Sequence, residues 1–144
     1  MVVVRPETVA DVLAFLKDDP AQAFDMLVDV TAVDFEARDG TLEVVYQLAS
    51  LERKKRLMVK TKVPAGDPVV PSACRLWKAA NWAEREVFDM FGVRFEGHPD
   101  LRRILMYPEF EGHPLRKSYP VDKRQPLVPE RDPIADPWPS RDGR

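Results

Sequence analysis

The sequence predicts an α+β fold: a two-layer domain with a mixed, partly antiparallel sheet, helices mainly on one face, and an extended proline-rich C-terminal tail. Segments of alternating apolar and polar residues follow one another between 24 and 63, with turn signals between them. Apolar residues recur at helical spacing before and after this block. Six of the 14 prolines lie in the last 25 residues, where the periodicity is lost.

The first two elements are a short strand and an amphipathic helix. Val2 to Val4 form a β-branched run typical of a strand. Helical spacing follows in the apolar residues Val9, Val12, Leu13 and Leu16. The sequence Asp18-Asp19-Pro20 then ends the helix, because proline cannot continue it.

Three strands follow, joined by two turns. Residues 24–35 are rich in β-branched and aromatic side chains, and the turn signal Arg38-Asp39-Gly40 separates them from an alternating run at 42–48. A charged turn at 52–55 leads into a second alternating run at 57–63. The alternation predicts that the last strand has one solvent-facing side.

Residues 82–91 are predicted to form the second helix. Asn81 stands at the N-cap position with Glu84 three residues later, as in a capping box, and Gly92 stands where a left-handed C-cap residue belongs. Prolines 64, 68 and 71 separate this helix from the strands.

This helix is predicted to be amphipathic. One face carries Ala83, Val87 and Met90. On another, Arg85 and Asp89 are four residues apart and form a candidate ion pair.

The domain is predicted to span residues 1–117, with 118–144 as an extended tail. A proline-rich segment without apolar periodicity does not offset its own ordering entropy. We therefore expect the tail to order only against partner surfaces, with Trp138 as its anchor.

The composition excludes several classes of function. The net charge of −2 provides no general attraction to nucleic acid or anionic lipid, and the basic residues between 53 and 62 fit a turn and a solvent-facing strand. Cys74 is the single cysteine, so the chain by itself offers neither a disulfide nor a cysteine-ligated cluster. The glycines match no phosphate-binding motif, and no run is long enough to span a membrane.

Both histidines lie in the same pentapeptide, FEGHP, which starts at Phe95 and again at Phe110. Glycine permits a sharp bend and proline fixes an extended exit, so the pattern favours a turn used twice. An acid/base or metal site is the alternative, and it would draw on Glu84, Glu86, Asp89, His98, Asp100 and His113. Glu84 and Glu86 are about 200° apart around a helix, which opposes a shared ion.

The dense mixture of charges favours a salt-bridged docking face over a pocket. We expect Arg102 or Arg103 to bind a carboxylate in a bidentate manner, either on a partner or on Glu84 or Glu86. The remaining cations of this face are Arg85, Arg116 and Lys117.

The run NWAEREVFDMFGVRFEGHPDLRRIL, followed by EGHPLRKSYP, resembles the signature of the C subunit of the proton-translocating NADH-quinone oxidoreductase, respiratory complex I. The resemblance is nearly continuous from Asn81 to Pro120. Upstream, FDMLVDVTAVDF and LEVVYQLASL are similar to strands of that family.

The resemblance implies a non-catalytic subunit of the hydrophilic arm that holds no cofactor, while FMN and Fe–S clusters are bound by partner subunits. It implies packing against the quinone-site (D) subunit, and the B subunit is a further neighbour. It places the chain at the cytoplasmic face of the bacterial inner membrane, with membrane contact only through the complex. The residues that it assigns to folding and docking are Glu84, Arg85, Glu86, Asp89, Phe91, Gly92, His98, Asp100, Arg102, Arg103, His113, Arg116 and Lys117.

Two alternatives remain open from the sequence. Related subunits occur in membrane-bound hydrogenases and in quinone oxidoreductases that accept electrons from ferredoxin or a deazaflavin. A different class is a free-standing metal-dependent hydrolase built on Glu84, Asp89 and His98.

Overall fold

The structure, a computed structural model, describes residues 1–128, so the predicted anchor Trp138 lies outside the described residues. A four-stranded sheet has the order β1-β4-β3-β2. Its strands are β1 (Val2–Val4), β2 (Met26–Phe35), β3 (Thr41–Ser50) and β4 (Lys55–Pro64). β1 runs parallel to β4 and the other pairs are antiparallel, which confirms the mixed sheet.

Within residues 1–128, three helices accompany the sheet. α1 (Val9–Asp18) follows a 3-10 turn, α2 (Glu36–Asp39) is a single turn between β2 and β3, and α3 (Ala80–Phe91) packs against β2. The α+β class is confirmed. Within residues 1–128, none of the helices combines the length and the apolar character that crossing a bilayer requires.

The core lies between the helices and one face of the sheet. Alternate residues of β3 point into it, and Leu42, Val44, Tyr46 and Leu48 are at most 1% exposed. From α3, Val87 and Met90 are buried as predicted. The opposite face of the sheet, which carries the exposed Met26, Val28 and Met58, is called the open face below.

Two strands were not expected from the sequence. β5 (Val69–Pro71) and β6 (Arg94–Glu96) pair in parallel as a separate two-stranded sheet, on either side of α3 in the chain. Each is only three residues long, so neither shows a measurable alternation, and the prolines around β5 indicated a loop.

The predicted capping box of α3 is wrong. The helix begins at Ala80, its N-cap is Ala79, and no side chain caps it. Asn81 therefore lies inside the helix, and the Glu84 carboxylate binds the preceding loop instead. The predicted C-cap is confirmed, because Gly92 adopts a left-handed conformation with φ of +75°.

Residues 98–128 contain neither helix nor strand. Beyond the predicted boundary at 117/118 the chain still contacts the preceding segment: the Tyr119 ring stacks on Phe110, with centroids 6.0 Å apart. Oε1 of Gln125 accepts a hydrogen bond from the Glu111 backbone amide at 2.9 Å, and Nε2 of Gln125 donates one to the Glu111 carbonyl at 3.1 Å. Residues 118–125 thus fold back onto the second FEGHP segment.

Candidate functional site

Asp89, in the last turn of α3, fastens the irregular segment that follows the helix. Its carboxylate is fully buried, and one oxygen, Oδ2, accepts three successive backbone amides, those of Ile104 at 3.1 Å, Leu105 at 2.8 Å and Met106 at 2.8 Å. The other oxygen accepts Nη1 of Arg103 at 2.6 Å. We call this arrangement the Asp89 anchor.

The anchor stabilises the ionised carboxylate. Burial alone raises the pKa of Asp89, but the amides and the Arg103 guanidinium outweigh it and hold the pKa below its ordinary value of 3.8. Asp89 is therefore a charged, fully bonded structural group near neutral pH. The predicted pair between Arg85 and Asp89 is wrong, because Arg85 donates to the carbonyls of Arg102 and Arg103, both at 3.1 Å.

Arg103 adds two contacts that close the segment. Its Nη2 donates to the Gly112 carbonyl at 2.9 Å, and its guanidinium lies 5.6 Å from the centre of the Phe110 ring. Arg103 therefore binds a carboxylate as expected, but through a single bond and on Asp89 rather than on Glu84 or Glu86. Arg102 instead pairs with Asp100 at 2.8 Å, where both side chains are more than half exposed.

The two histidines clamp the two FEGHP segments to opposite ends of α3. His98 donates from Nε2 to the Asn81 carbonyl at 3.0 Å, since its Nδ1 accepts the Asp100 amide. His113 donates from Nδ1 to the Asp89 carbonyl, also at 3.0 Å. Gly97 and Gly112 both have positive φ, which confirms the bend at each pentapeptide.

His113 packs directly on the helix end. A Cβ at Gly92 would lie 2.6 Å from the His113 ring, so only glycine allows this approach. Burial lowers the pKa of His113, and the charges of Arg103 and Arg116 lower it further, although the bond to the Asp89 carbonyl opposes them. The ring is therefore neutral at pH 7.

Arg116 and Lys117 join the second pentapeptide to the sheet. The Arg116 guanidinium donates to the Phe91 carbonyl at 2.6 Å and to the Ala65 carbonyl at 2.7 Å. The Lys117 amide donates to the Asp34 carboxylate at 2.6 Å. Asp34 was missed in the sequence, although an acidic residue in the inward register of β2 was a usable signal.

Glu84 holds the loop before α3. Its buried carboxylate accepts the Ser72 hydroxyl and the Ala73 amide, both at 2.6 Å, and the Cys74 thiol at 3.4 Å. Burial raises the pKa of Glu84 even though these bonds oppose it. Burial also raises the pKa of the Cys74 thiol to about 11, so the thiol stays protonated.

The ligand set of the hydrolase alternative is not assembled. Within residues 1–128, the one group of three side chains whose ligand atoms lie within 4.8 Å of one another is Cys74, Glu84 and His98, without Asp89. Both His98 nitrogens and both Glu84 oxygens already make hydrogen bonds. A metal there would have to replace these contacts.

Comparison with known proteins agrees with the sequence signature. A family model described as the 30 Kd subunit of the respiratory-chain NADH dehydrogenase matches residues 2–125. The C subunit of the NADH-quinone oxidoreductase of Trichlorobacter lovleyi is 54% identical over 123 residues, which cover 84% of this chain and 74% of the relative. Its counterpart in Roseiflexus castenholzii is 48% identical over 118 residues, covering 82% and 68%.

Solved structures show the same fold. A trypsin-resistant fragment of Nqo5 aligns with a TM-score of 0.62 and 38% identity, over 69% of this chain and 80% of that one. A chain of an archaeal respiratory membrane complex, the membrane-bound sulfane sulfur reductase, aligns with a TM-score of 0.70 and 32% identity, over 83% and 70%. The chain therefore belongs to the family of the 30 Kd subunit of the respiratory-chain NADH dehydrogenase, which includes the C subunits of NADH-quinone oxidoreductases.

Proposed function

We propose that this chain is a non-catalytic assembly subunit in the peripheral arm of an NADH-quinone oxidoreductase. The parent complex transfers electrons from NADH through FMN and Fe–S clusters to quinone and couples this to proton translocation, with all of these cofactors in partner subunits. The observation that carries the proposal is that the charged signature residues bind the chain itself. The Asp89 anchor, with every carboxylate oxygen bonded, is the main example.

A general acid or base must lie within hydrogen-bond reach of a substrate. The buried carboxylates of Glu84 and Asp89 accept bonds on both oxygens, and both histidines donate to carbonyls of α3. These side chains fix the shape of the segment between His98 and Lys117. Their role is to present a rigid surface, which is what an assembly subunit requires.

That surface carries exposed apolar side chains suited to a partner. Trp82 on α3 is 69% exposed, and the segment fastened to the helix adds Leu105 at 56%, Leu115 at 54% and Tyr107 at 39%. Exposed aromatic and aliphatic groups on a rigid support are typical of interface anchors. We assign this surface to the quinone-site (D) subunit, while the B subunit is a further neighbour. The chain is peripheral, at the cytoplasmic face of the bacterial inner membrane, and reaches the membrane only through the complex.

One finding favours a second candidate, the equivalent subunit of a related membrane-bound respiratory complex. The chain of the archaeal sulfane sulfur reductase complex aligns over 83% of this chain. The same scaffold thus occurs beside a different terminal reaction.

Companion subunits distinguish the two candidates. A tagged chain is purified from detergent-solubilised membranes, and its partners are identified by mass spectrometry. We expect flavin- and NADH-binding subunits together with the quinone-site subunit. Recovery with a nickel–iron subunit or a sulfur reductase would favour the second candidate, whereas recovery of the chain alone would contradict both.

A further inference from the structure

The open face of the sheet carries exposed apolar side chains that the described residues leave uncovered. The register places Met26 opposite Ala49 and Met58 opposite Gln47, so these side chains point away from the core. Met26 is 43% exposed, Met58 is 37% and Val28 is 46%. Isolated surface apolar residues are ordinary, but here Met26 and Val28 of β2 and Met58 of β4 lie on one face, on either side of β3.

A β-bulge lies within this surface. The pairing of β2 with β3 shifts between Leu27 and Asp29, which leaves Val28 as the additional residue and turns it outward. Val28 and Arg56 line two adjacent depressions, of about 310 and 460 Å³. Met58 lies in the first depression and Met26 in the second. The two depressions are adjacent, since Val28 and Arg56 line both, and together they are called the open-face groove below.

Positive charge is concentrated at the second depression, called the basic end below, and Arg56 also reaches the first depression. Lys54, Lys55 and Arg56, at the β3–β4 turn, are exposed, and none of them forms an ion pair within residues 1–128. The nearby carboxylates do not balance them. Residues 53–56 carry four cations. The carboxylates around the groove are Glu52, Asp25, which accepts the Leu51 amide at 3.1 Å, and the exposed Asp29 of β2, so one positive charge is in excess.

Two further cations of β4 are already neutralised. Lys60 binds Glu43 at 2.7 Å and Lys62 binds Asp39 at 2.9 Å. The unpaired cations of the face are therefore the ones that line the second depression, whereas those farther along β4 are paired. A partner with complementary charges can be oriented by this uneven distribution of charge.

We propose that the open-face groove binds a segment of another subunit of the complex that carries apolar side chains beside carboxylates. The apolar side chains fill the two depressions, and the carboxylates meet Lys54, Lys55 and Arg56. This inference rests on the proposed assembly function, and it adds a docking surface separate from the one around Trp82.

Two other occupants fit the face less well. A lipid surface is bound by apolar groups that protrude, with cations spread around them, whereas here the apolar groups line depressions and the free cations lie at one end. A second copy of this chain would bring the same excess of positive charge, which favours separation.

Charge reversal tests the basic end of the groove. The groove variant combines Lys55→Glu and Arg56→Glu and is expressed in cells as part of the whole complex. The control variant combines Arg75→Glu and Lys78→Glu. The control pair lies in the loop between β5 and α3, is exposed, and changes the net charge equally. We expect the groove variant to lower the yield of complete complex by about tenfold and the control to leave it unchanged, since complementary charges govern docking.

Each charge-reversal result has a definite meaning. Restoration of the yield by lysines at the partner's carboxylates would support the groove. Normal yield for the groove variant, or equal loss in both variants, would overturn it. Thermal melting of the purified chains shows whether a variant has simply lost its fold, and the cross-linking below does not depend on these variants.

A photo-cross-linker at position 58 identifies the occupant directly within the purified complex. A cross-link to a peptide of another subunit that contains apolar residues next to Asp or Glu is the expected result. Cross-links to lipid, to a second copy, or to nothing would overturn the groove while the companions still support the assembly function. If the wild-type chain purifies without any complex, the assembly function itself fails.

Discussion

Asp89 and Glu84 are acidic side chains of the same helix with no measurable exposure, yet their surroundings move their pKa values in opposite directions. Asp89 accepts a guanidinium and three amides, which offset the cost of burying its charge. Glu84 accepts a hydroxyl, an amide and a thiol, and within residues 1–128 it forms no ion pair with a lysine or an arginine. Burial therefore dominates at Glu84 and hydrogen bonding dominates at Asp89.

Removing the Asp89 carboxylate is expected to destabilise the chain strongly. Asp89→Ala leaves the partly buried Arg103 charge and three amides without their acceptor, and should lower the free energy of unfolding by about 3–5 kcal/mol. Urea denaturation of the purified chain measures this. The control is Asp100→Ala, whose pair with Arg102 is exposed and should contribute less than about 1 kcal/mol. Equal losses in the two variants would contradict the Asp89 anchor.

Glu84 is expected to make the chain less stable as the pH rises. Its pKa in the folded chain lies above the ordinary value of 4.5, so the folded state binds the proton more tightly than the unfolded state. The stability that this provides is complete below pH 4.5 and is lost as the pH rises through the folded pKa. Glu84→Gln removes the titrating group and keeps an acceptor for the Ala73 amide.

The measurement is the difference in unfolding free energy between wild type and Glu84→Gln at a series of pH values upward from about 4. We expect wild type to lose stability relative to the variant as the pH rises. Asp89 and His113 have lowered pKa values and produce the opposite slope, but they are present in both proteins and cancel. A constant difference for Glu84→Gln would show that Glu84 does not titrate as inferred.

At the scale of elements, α3 is the support on which the irregular segment 98–117 is built. The segment has no backbone ladder of its own, so its polar groups are bonded by the helix: His98 near the first turn, Asp89 and His113 at the last. The left-handed C-cap at Gly92 lets the His113 ring lie against the helix end. A surface segment without regular structure thereby gains a defined shape.

Substitution of Gly92 tests this close approach. Gly40 has a similar φ of +71° but open space around it, so Gly40→Ala should show only the left-handed strain of about 1–2 kcal/mol. Gly92→Ala adds a clash with the His113 ring and should cost about 1–3 kcal/mol more. The same denaturation measurement is repeated in the His113→Ala background. There the additional destabilisation by Gly92→Ala should disappear, because the ring that causes the clash is absent. An excess that persists without the ring would show that His113 is not the obstacle.

At the scale of the whole molecule, the charged signature residues make their contacts within the chain, so we expect them to affect assembly through the fold. Arg103 is inside the Asp89 anchor, whereas Arg102 pairs with Asp100 at the surface. The two arginines are adjacent in sequence, but one makes a partly buried contact and the other an exposed one, so their substitution should have different effects on stability. The surfaces that we propose for partners are the apolar groups around Trp82 and the open-face groove.

Arg103→Ala is expected to reduce the amount of assembled complex by several-fold, because loss of about 3–5 kcal/mol depletes the folded chain. Arg102→Ala should have a much smaller effect. Quinone reduction per assembled complex should be unchanged in both variants, as measured on purified complex normalised to its flavin content. Normal assembly of Arg103→Ala with reduced turnover per complex would contradict the assembly role and place Arg103 at an electron-transfer or quinone site.

Much of the fold follows from local patterns in the sequence. The alternation at 42–48 and 57–63 and the spacing of Val9, Leu13 and Leu16 determined the strands and α1, because side-chain direction repeats with the backbone. Gly92 marked the end of α3 for an equally local reason, since a left-handed residue without a Cβ is tolerated there. The family signature was also visible, because it is a contiguous run of residues.

Only the tertiary structure decided which partner each charged side chain takes. Arg85 lies four residues before Asp89, but Asp89 binds Arg103, fourteen residues after it. Glu84 does not cap the start of α3 and instead binds the amide of Ala73, eleven residues before it. Local spacing makes several pairs equally available, and only the packed chain sets the distances and the burial that select among them. Short strands such as β5 and β6 depend on the same cause, because three residues form a strand only when a partner lies beside them.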